Sequence, residues 1–209
     1  MSGPTRGRFV TLEGVDGAGK STHVAHIADA IRARGHRVVT TREPGGTPLG
    51  EALRELVLHQ PMTRDTETLL VFASRREHVE RVIRPALVRG DWVLCDRYTD
   101  ATYAYQGGGH GVDRTRIDAL ARWVHGDCNP DLTILFDVPL EVSRERLARA
   151  AGEGRALDRF EREGGGFSER VREAYLERAR AEPDRFRIVD STRPPDQVRA
   201  ALSGILASW

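Results

Sequence analysis

The sequence predicts an α/β protein in which helices cover both faces of a parallel sheet. Five short apolar segments alternate with longer segments whose apolar residues recur at helical spacing. Strands that alternate with helices favour a parallel sheet with two covered faces. The length of 209 residues suits a single domain over residues 1–209. The predicted strands are 9–12, 37–41, 91–95, 132–137 and 185–190.

The individual segments carry the signals of these elements. The first predicted strand is apolar and β-branched, and a glycine-rich turn ends it. Two later strands are apolar runs that lead into an aspartate. In the segment after the first strand, Val24, Ile27 and Ile31 recur at helical spacing. The predicted helices are 21–34, 49–58, 66–88, 115–124, 140–150, 167–181 and 196–207.

Three segments interrupt this alternation. Residues 41–46, TREPGG, follow the second predicted strand. Residues 106–111, QGGGHG, are too rich in glycine for a regular element. Residues 149–166 mix arginines with glycines, and we expect them to form a mobile lid.

The charge balance excludes a protein whose main task is to coat nucleic acid. The chain carries 32 basic and 31 acidic side chains, whereas such proteins show a basic excess.

No apolar run approaches the roughly 18 residues of a membrane span, and residues 1–8 lack the apolar core of a signal peptide. Cys95 and Cys128 lack metal-ligand spacing, which fits a reducing compartment. We therefore expect a cytoplasmic protein that binds neither nucleic acid nor membrane.

Residues 14–21, GVDGAGKS, match the phosphate-loop pattern GxxxxGK[ST] between a predicted strand and a predicted helix. Glycines let backbone N–H groups turn toward phosphate oxygens, and the helix N-terminus adds the positive end of its dipole. Lys20 would reach the β- and γ-phosphates, and Ser21 would bind Mg²⁺. The alternative is an ordinary glycine-rich turn capped by a serine. The predicted ATP phosphate-binding residues are Gly14, Val15, Asp16, Gly17, Ala18, Gly19, Lys20, Ser21 and Thr22.

The only lysine of the chain lies in this loop. Of the 32 cationic side chains, 31 are arginines and one is Lys20. Lysine offers a compact charge where the planar fork of arginine does not fit. Without a second lysine the chain has no NKxD box of the kind that selects guanine, which counts against a GTPase.

The order and spacing of six segments carry a family resemblance over nearly the whole chain. They are FVTLEGVDGAGKS (9–21), TREPGGT (41–47), VIRPAL (82–87), DRY (96–98), AYQGGGHG (104–111) and LDRFE (157–161). Together they resemble bacterial thymidylate kinases, nucleoside monophosphate kinases with the P-loop NTPase fold. The resemblance implies a homodimer that transfers the γ-phosphoryl group of MgATP to dTMP, giving dTDP and ADP, in dTTP biosynthesis. The alternatives are a kinase for another nucleotide or a deoxynucleoside, and a P-loop regulator that binds nucleotide.

The resemblance implies roles for charged residues around the transferred group. Arg42 and Arg97, each just past a predicted strand end, would hold the dTMP phosphate with paired guanidinium donors. The alternative for each is a surface ion pair. Asp16 would contact the sugar and phosphate side of dTMP, or else be a solvated turn residue. Asp96 ends an apolar strand, as a carboxylate that organises Mg²⁺ does, or is a structural partner of Arg97 or Lys20.

For the base, the resemblance implies an aromatic residue four positions before an arginine that reads a thymine carbonyl. Arg75 matches the arginine, but Val71 stands at the aromatic position. Phe72 follows it, about 100° further around the helix, and is open to two interpretations, base contact or core. The predicted dTMP-binding residues are Asp16, Arg42, Glu43, Pro44, Phe72, Arg75, Arg97, Tyr98, Tyr105 and Gln106.

The transferred γ-phosphoryl group needs a neutralising charge, and one well-placed arginine is worth about 10³–10⁵ in rate. The resemblance implies that this arginine lies in the phosphate loop or in the lid. Gly17 and Ala18 occupy the loop, which leaves Arg149, Arg155 and Arg159 of the lid, and Arg155 is the best placed. The alternative for each is a solvated charge. The predicted catalytic residues are Lys20, Asp96, Arg97, Arg149 and Arg155, and the predicted metal ligands are Ser21 and Asp96.

The implied homodimer would form through the helix predicted from residue 66. Val79, Val82 and Ile83 on this helix are apolar and look exposed in the sequence pattern. A buried core face explains the same three residues.

Overall fold

Five parallel strands form the central sheet of the computed structural model, which describes residues 6–154, 156–164 and 166–209. The strands are β1 (Phe9–Glu13), β2 (Val38–Arg42), β3 (Trp92–Asp96), β4 (Leu132–Asp137) and β5 (Phe186–Asp190). They lie in the order β2-β3-β1-β4-β5, and every pairing is parallel. The predicted five-stranded parallel sheet is therefore confirmed.

Nine α-helices lie within the described residues. They are α1 (Lys20–Ala33), α2 (Pro48–His59), α3 (Arg64–His78), α4 (Arg84–Val88), α5 (Thr99–Thr102), α6 (Arg114–Val124), α7 (Leu140–Gly152), α8 (Phe167–Ala181) and α9 (Pro195–Ser208). Each helix predicted from the sequence is present. None of the helices in the described part of the chain is long and apolar enough to cross a membrane.

Alternate residues of β1 pack on opposite faces of the sheet. Val10 belongs to the core that contains Ile27 of α1, whereas Phe9 belongs to the core that contains Ile83. All of β1 is buried, which is why this strand is a continuous apolar run and does not alternate with polar residues. The predicted cover of helices on both faces is confirmed by these two cores.

The carboxyl ends of the strands meet at one edge of the sheet. Leu12 of β1 and Arg42 of β2 both pair with Asp96 of β3. Glu13 is the last residue of β1 and lies at the same edge. Ligands of open α/β sheets bind outside this edge, so the fold places the chemistry there.

The long helix predicted over 66–88 is α3 and α4 joined by a π-helical segment, Val79–Ile83. Proline removes one backbone donor and crowds the preceding turn, and Pro85 is the second residue of α4. π-Helix is rare, and it occurs mostly as single turns inside α-helices, as it does here. Val79 and Ile83 are fully buried beside Phe9, so two of the three residues offered as a dimer surface belong to the core.

The prediction that residues 106–111 form no regular element is wrong. A π-helical segment, Tyr103–Gly109, follows α5 and covers most of them. A Cβ at Gly108 would lie 2.6 Å from the Cβ of Ala174, and one at Gly109 would lie 2.4 Å from the ring of Phe167. The glycines therefore allow close packing on α8, a tertiary requirement that composition does not distinguish from a turn.

The predicted lid, 149–166, begins inside α7, which continues to Gly152. Arg155, the predicted catalytic arginine, and Gly165 lie outside the described residues. Residues 1–5, part of the segment tested for a signal peptide, also lie outside them.

Candidate active site

The phosphate loop connects β1 to α1, as the motif predicts. Gly14 has a φ of 138°, and a Cβ there would lie 2.5 Å from the carbonyl oxygen of Phe136. Gly19, just before α1, has a φ of 89°, which also favours glycine. The first turn of α1 has no side-chain cap, so its N–H groups and the positive end of its dipole face the loop. This geometry suits phosphate oxygens.

Lys20 is buried inside the loop. Its Nζ donates to the carbonyl oxygens of Gly14 at 3.0 Å and Val15 at 3.2 Å. Burial and the charge of Arg97 lower the pKa of Lys20, whereas Asp96 and Asp16 oppose that shift. The single lysine of the chain therefore supplies a compact charge at the place where the loop binds phosphate.

Arg97 lies between the phosphate loop and a neighbouring cleft, which we call the acceptor cleft. Its Nη2 donates to Asp16 Oδ1 at 2.6 Å and to the Tyr105 hydroxyl at 2.9 Å. Its Nη1 donates to the Gly14 carbonyl at 3.1 Å and to the Tyr175 hydroxyl at 3.0 Å. The guanidinium thus lies between the loop that suits ATP and the cleft on its other side.

Asp16 faces a cation, which explains an acid inside a phosphate loop. Burial alone would raise its pKa, but the charges of Arg97 and Lys20 lower it below the ordinary value. The Tyr105 hydroxyl donates to Asp16 Oδ2 at 2.8 Å and favours the charged form further. Among the alternatives open from the sequence, the structure supports a paired Asp16 over a solvated one.

The acceptor cleft brings together most of the predicted dTMP-binding residues. It is also lined by residues that the sequence analysis did not select, Arg54, Val57, Leu58, Val71, Ala101, Thr102, Asp158 and Phe160. The predicted residues that line it are Asp16, Glu43, Pro44, Arg75, Arg97, Tyr98, Tyr105 and Gln106.

Arg75 is fully buried in the wall of this cleft, and Glu43 holds it there. Its Nε donates to Glu43 Oε2 at 2.6 Å, and its Nη2 donates to the Tyr98 carbonyl and the Thr102 hydroxyl, each at 3.0 Å. His78 contacts the other oxygen of Glu43 at 2.9 Å. Within the described chain, Nη1 of Arg75 is buried without a partner. A buried donor without a partner is costly, which makes Nη1 suited to a ligand carbonyl.

Phe72 does not line the cleft. Its side chain is buried with Ile117, Ala121 and Val124, on the face of α3 that packs against α6. Val71 lines the cleft instead. The rotation of about 100° between successive helical residues is enough to separate the two positions. The structure therefore supports the core interpretation of Phe72.

Arg42 lies outside the acceptor cleft. Its Nη2 donates to Glu51 at 2.8 Å, and it lines a neighbouring groove with Asp96 and Thr41. Arg54 lines the acceptor cleft in its place, and its Nη1 donates to the Pro44 carbonyl at 3.0 Å. Burial and the charges of Arg42 and Arg97 lower the pKa of Arg54. We found no signal for Arg54 in the sequence, because it is one arginine among 31.

Asp96 and Ser21 provide the oxygen atoms expected of a cation site. Asp96 Oδ1 is buried and has no hydrogen-bond partner in the residues described. Ser21 lies exposed in the first turn of α1. Mg²⁺ binds through one or two protein oxygens while it keeps waters and substrate phosphates as its other ligands. The two side chains fit such an ion.

A buried glutamate, Glu67 of α3, links the lid segment to the acceptor cleft. Arg159 donates to Glu67 Oε2 at 2.5 Å and to the Val57 carbonyl at 3.0 Å. Gln106 donates to Glu67 Oε1 at 2.7 Å, and His110 contacts the same oxygen at 3.0 Å. Arg159, one of the candidate arginines of the predicted lid, is therefore tied to α2 and α3.

Two arginines of α7, Arg146 and Arg149, differ in their surroundings. Arg149 is exposed on α7. Arg146, which the sequence analysis did not select, donates to the Gly17 carbonyl at 3.3 Å and to the Ser191 carbonyl at 2.7 Å. Arg146 thus ties α7 to the loop and to the segment after β5.

His110 bridges Glu67 of α3 and Glu163 of the predicted lid, and the strength of this contact depends on pH. Burial alone would lower its pKa, but hydrogen bonds to Glu67 and Glu163 raise it above the ordinary value. The protonated pair therefore stabilises the fold in full below the unfolded pKa of about 6.5, and loses that contribution as pH rises through the folded pKa. We expect His110→Gln to lower the free energy of unfolding by about 1.5–3 kcal/mol at pH 6 and by less at pH 9. Urea unfolding at both pH values measures this, and an equal loss at both would contradict the pair.

A phosphate loop and an adjoining cleft with three arginines in its wall, Arg54, Arg75 and Arg97, lie on one parallel sheet and define a P-loop phosphotransferase for a small phosphorylated acceptor. The family model described as thymidylate kinase matches residues 12–202. The chain belongs to the thymidylate kinase family. This membership confirms the resemblance found in the sequence.

Individual relatives agree with the family model. The thymidylate kinase of Bordetella petrii is 65% identical over 197 residues, which cover 94% of this chain and 93% of the relative. That of Methylobacillus flagellatus is 58% identical over 98% of each chain. The crystal structure of the thymidylate kinase from Ehrlichia chaffeensis is similar with a TM-score of 0.76 and 33% identity, covering 96% of this chain and 99% of that one.

Proposed function

We propose that this chain transfers the γ-phosphoryl group of ATP to the phosphate of dTMP, giving dTDP and ADP. Its membership in the thymidylate kinase family bears out this activity, which the sequence analysis predicted. One structural observation carries the assignment. Arg97 contacts both the phosphate loop, through Gly14, and the acceptor cleft, through Tyr105. Donor and acceptor phosphates would therefore meet at a shared cationic wall.

On the donor side, the loop N–H groups and Lys20 hold the β- and γ-phosphates. Phosphoryl transfer depends on positioning and on neutralising charge at the equatorial oxygens, with little covalent work for the protein. Lys20 supplies that charge from within the loop. The transfer is direct and in line, with no covalent enzyme intermediate.

On the acceptor side, Arg97 and Arg54 hold the dTMP phosphate with paired guanidinium donors. Nη1 of Arg75 donates to a thymine carbonyl, which satisfies its unpaired buried N–H. Tyr98, Tyr105 and the other lining residues of this cleft enclose the nucleoside. Arg42 acts from the rim, beside Asp96.

The metal would be Mg²⁺, held by Ser21 and by Asp96 directly or through water. When bound, the ion neutralises charge on the ATP phosphates. The buried Oδ1 of Asp96, with no partner in the described structure, supports this role. Asp96 also lies close enough to Lys20 to oppose the lowering of the Lys20 pKa by burial and by Arg97.

The lid, residues 149–166 of a single domain, would close over ATP and exclude water. Arg155 would stabilise the moving γ-phosphoryl group, and Arg149 would assist. The anchorage of Arg159 on Glu67 supports this division of roles, because it leaves Arg159 occupied away from the phosphate loop.

The protein would act as a homodimer in the cytoplasm. Leu69 of α3 and Trp123 of α6 are 55% and 79% exposed, which supports a contact surface on these helices. The buried free thiols of Cys95 and Cys128 support a reducing compartment. We expect neither nucleic acid nor membrane as a partner.

Initial rates with dTMP, dUMP, dCMP, dGMP and dAMP test the acceptor. We expect dTMP to be the fastest, because Arg75 favours a base with a carbonyl group and apolar lining residues such as Val71 and Phe160 favour its methyl group. Thymidine lacks the phosphate that Arg97 and Arg54 would bind, so it is the matched control, and we expect little turnover with it. Fast turnover only with a non-thymine acceptor would favour another nucleotide kinase, and ATP binding without any acceptor turnover would favour a regulator.

A further inference from the structure

We propose that Glu13 is a positioning residue for the acceptor phosphate, because it fixes both the backbone and the side chain of Arg97. The inference rests on the proposed function, in which Arg97 holds the phosphate of dTMP. It assigns a role to a carboxyl group that neither the phosphate-loop motif nor the acceptor cleft includes.

Glu13 is a fully buried acid immediately before the phosphate loop. It is the last residue of β1, and its side chain has no exposed surface. Its Oε1 accepts from the backbone N–H of Tyr98 at 2.7 Å, and its Oε2 accepts from the Tyr175 hydroxyl at 2.8 Å. Burying a carboxyl group is costly unless its hydrogen bonds repay the cost, so a defined task for both oxygens is expected.

The first oxygen acts on an unusual backbone conformation. Among the described residues other than glycine, Arg97 alone has a positive φ, of 70°. This conformation is unfavourable for a residue with a side chain and persists only where neighbouring contacts enforce it. Arg97 N donates to the Leu12 carbonyl at 2.9 Å, and the next amide, Tyr98 N, donates to Glu13. The end of β1 thus holds the backbone on both sides of the Arg97 Cα.

The second oxygen acts on the guanidinium of Arg97. The Tyr175 hydroxyl accepts from Arg97 Nη1 at 3.0 Å and donates to Glu13 Oε2. A hydroxyl has one proton, so the bond to Glu13 commits that proton and turns the oxygen lone pairs toward Arg97. Glu13 therefore orients the guanidinium through Tyr175, without touching the substrate.

Glu13→Gln tests the inference directly. Glutamine has one acceptor oxygen and one donor group, so it cannot accept from both Tyr98 and Tyr175. We expect the affinity for dTMP to fall by about 10- to 100-fold, the scale of a lost hydrogen bond to a charged group. Thymidine lacks the phosphate that Arg97 holds, so its affinity should change less than 2-fold, as should the KM for ATP. Calorimetric titration of both ligands and steady-state kinetics measure these values.

Tyr175→Phe provides a second variant, because it removes the relay to Arg97 and leaves the Glu13–Tyr98 contact in place. We expect the same selective loss of dTMP affinity, and the double variant should bind dTMP more tightly than two independent losses would allow. This sub-additive pattern indicates a shared path. If Glu13→Gln does not fold, Glu13→Asp replaces it, because the shorter side chain cannot reach both Tyr98 N and the Tyr175 hydroxyl.

Thr11→Val is the matched control. Thr11 lies on the same face of β1, is fully buried, and shares a hydrogen bond of 2.9 Å with Thr133. It should lower thermal stability without changing the ratio of dTMP to thymidine affinity. Equal losses for both ligands, or dTMP affinity within 2-fold of the parent, would overturn the role of Glu13. A parent protein that neither binds nor phosphorylates dTMP would overturn the proposed function and this inference with it.

Discussion

Replacing Lys20 with arginine is expected to lower kcat by about 100- to 1,000-fold while dTMP still binds. The magnitude is that of removing one preorganised charge or donor from a transition state. Lys20 Nζ lies buried between the carbonyls of Gly14 and Val15. A planar guanidinium is larger and carries its charge over three nitrogens, so it cannot occupy this position and point at the same phosphate oxygens.

Steady-state kcat and calorimetric dTMP binding check this result. Lys20→Met separates size from charge, because it keeps an unbranched side chain of similar length. Arg32→Lys is the matched control and should retain the parent rate, because the parent side chain is on the surface of α1 and pairs with Asp29. A Lys20→Arg protein with kcat within 10-fold of the parent would contradict the need for a compact charge.

Replacing Arg155 with alanine is expected to lower kcat by about 10³-fold or more and to leave the affinity for dTMP nearly unchanged. The phosphate loop, residues 14–21, contains no arginine. Arg159 is held by Glu67 and by the Val57 carbonyl, away from the loop. Arg155 lies just before the LDR segment, 157–159, and is the predicted catalytic arginine.

Arg149, Arg155 and Arg159, three of the four arginines of the lid, are expected to give distinct kinetic changes. Arg149→Ala should lower kcat by less than 10-fold. Arg159→Ala should raise the KM for dTMP, because its neighbours Asp158 and Phe160 line the acceptor cleft. Single-turnover rates with saturating substrates separate chemistry from binding. Should Arg155→Ala stay within a few-fold of the parent rate while Arg149→Ala loses activity, the two roles would be exchanged.

Local patterns in the sequence were sufficient for the fold. Strands inside the sheet are buried on both faces, so they are short apolar runs. The helices that cover the sheet differ from them because their apolar residues recur at helical spacing. Even so, the glycines 107–109 were misassigned, since a glycine that admits a neighbouring helix and a glycine that makes a turn look alike in composition. The same limit applies to Val79 and Ile83, whose burial depends on what covers the helix.

The acceptor site was predicted in part. Asp16, Arg75, Arg97 and Tyr105 lie in ordered motifs and do converge on one cleft. Phe72 turned inward to the core, and Arg42 faces the neighbouring groove. Arg54 was missed because a lone arginine on a helix resembles any surface charge.

Local sequence patterns are enough to predict the parallel sheet, the phosphate loop with its single lysine, and the family. Those features depend on residues close together in the chain, where periodicity and spacing record the structure. The face of α3 that lines the acceptor cleft and the contacts that hold Arg97 depend on how distant elements pack together. The contact from Glu13 to Tyr175 joins residues 162 positions apart, and such a contact exists only after β1 and α8 have packed together. No local pattern in the chain specifies that meeting, because the packing of distant elements creates it.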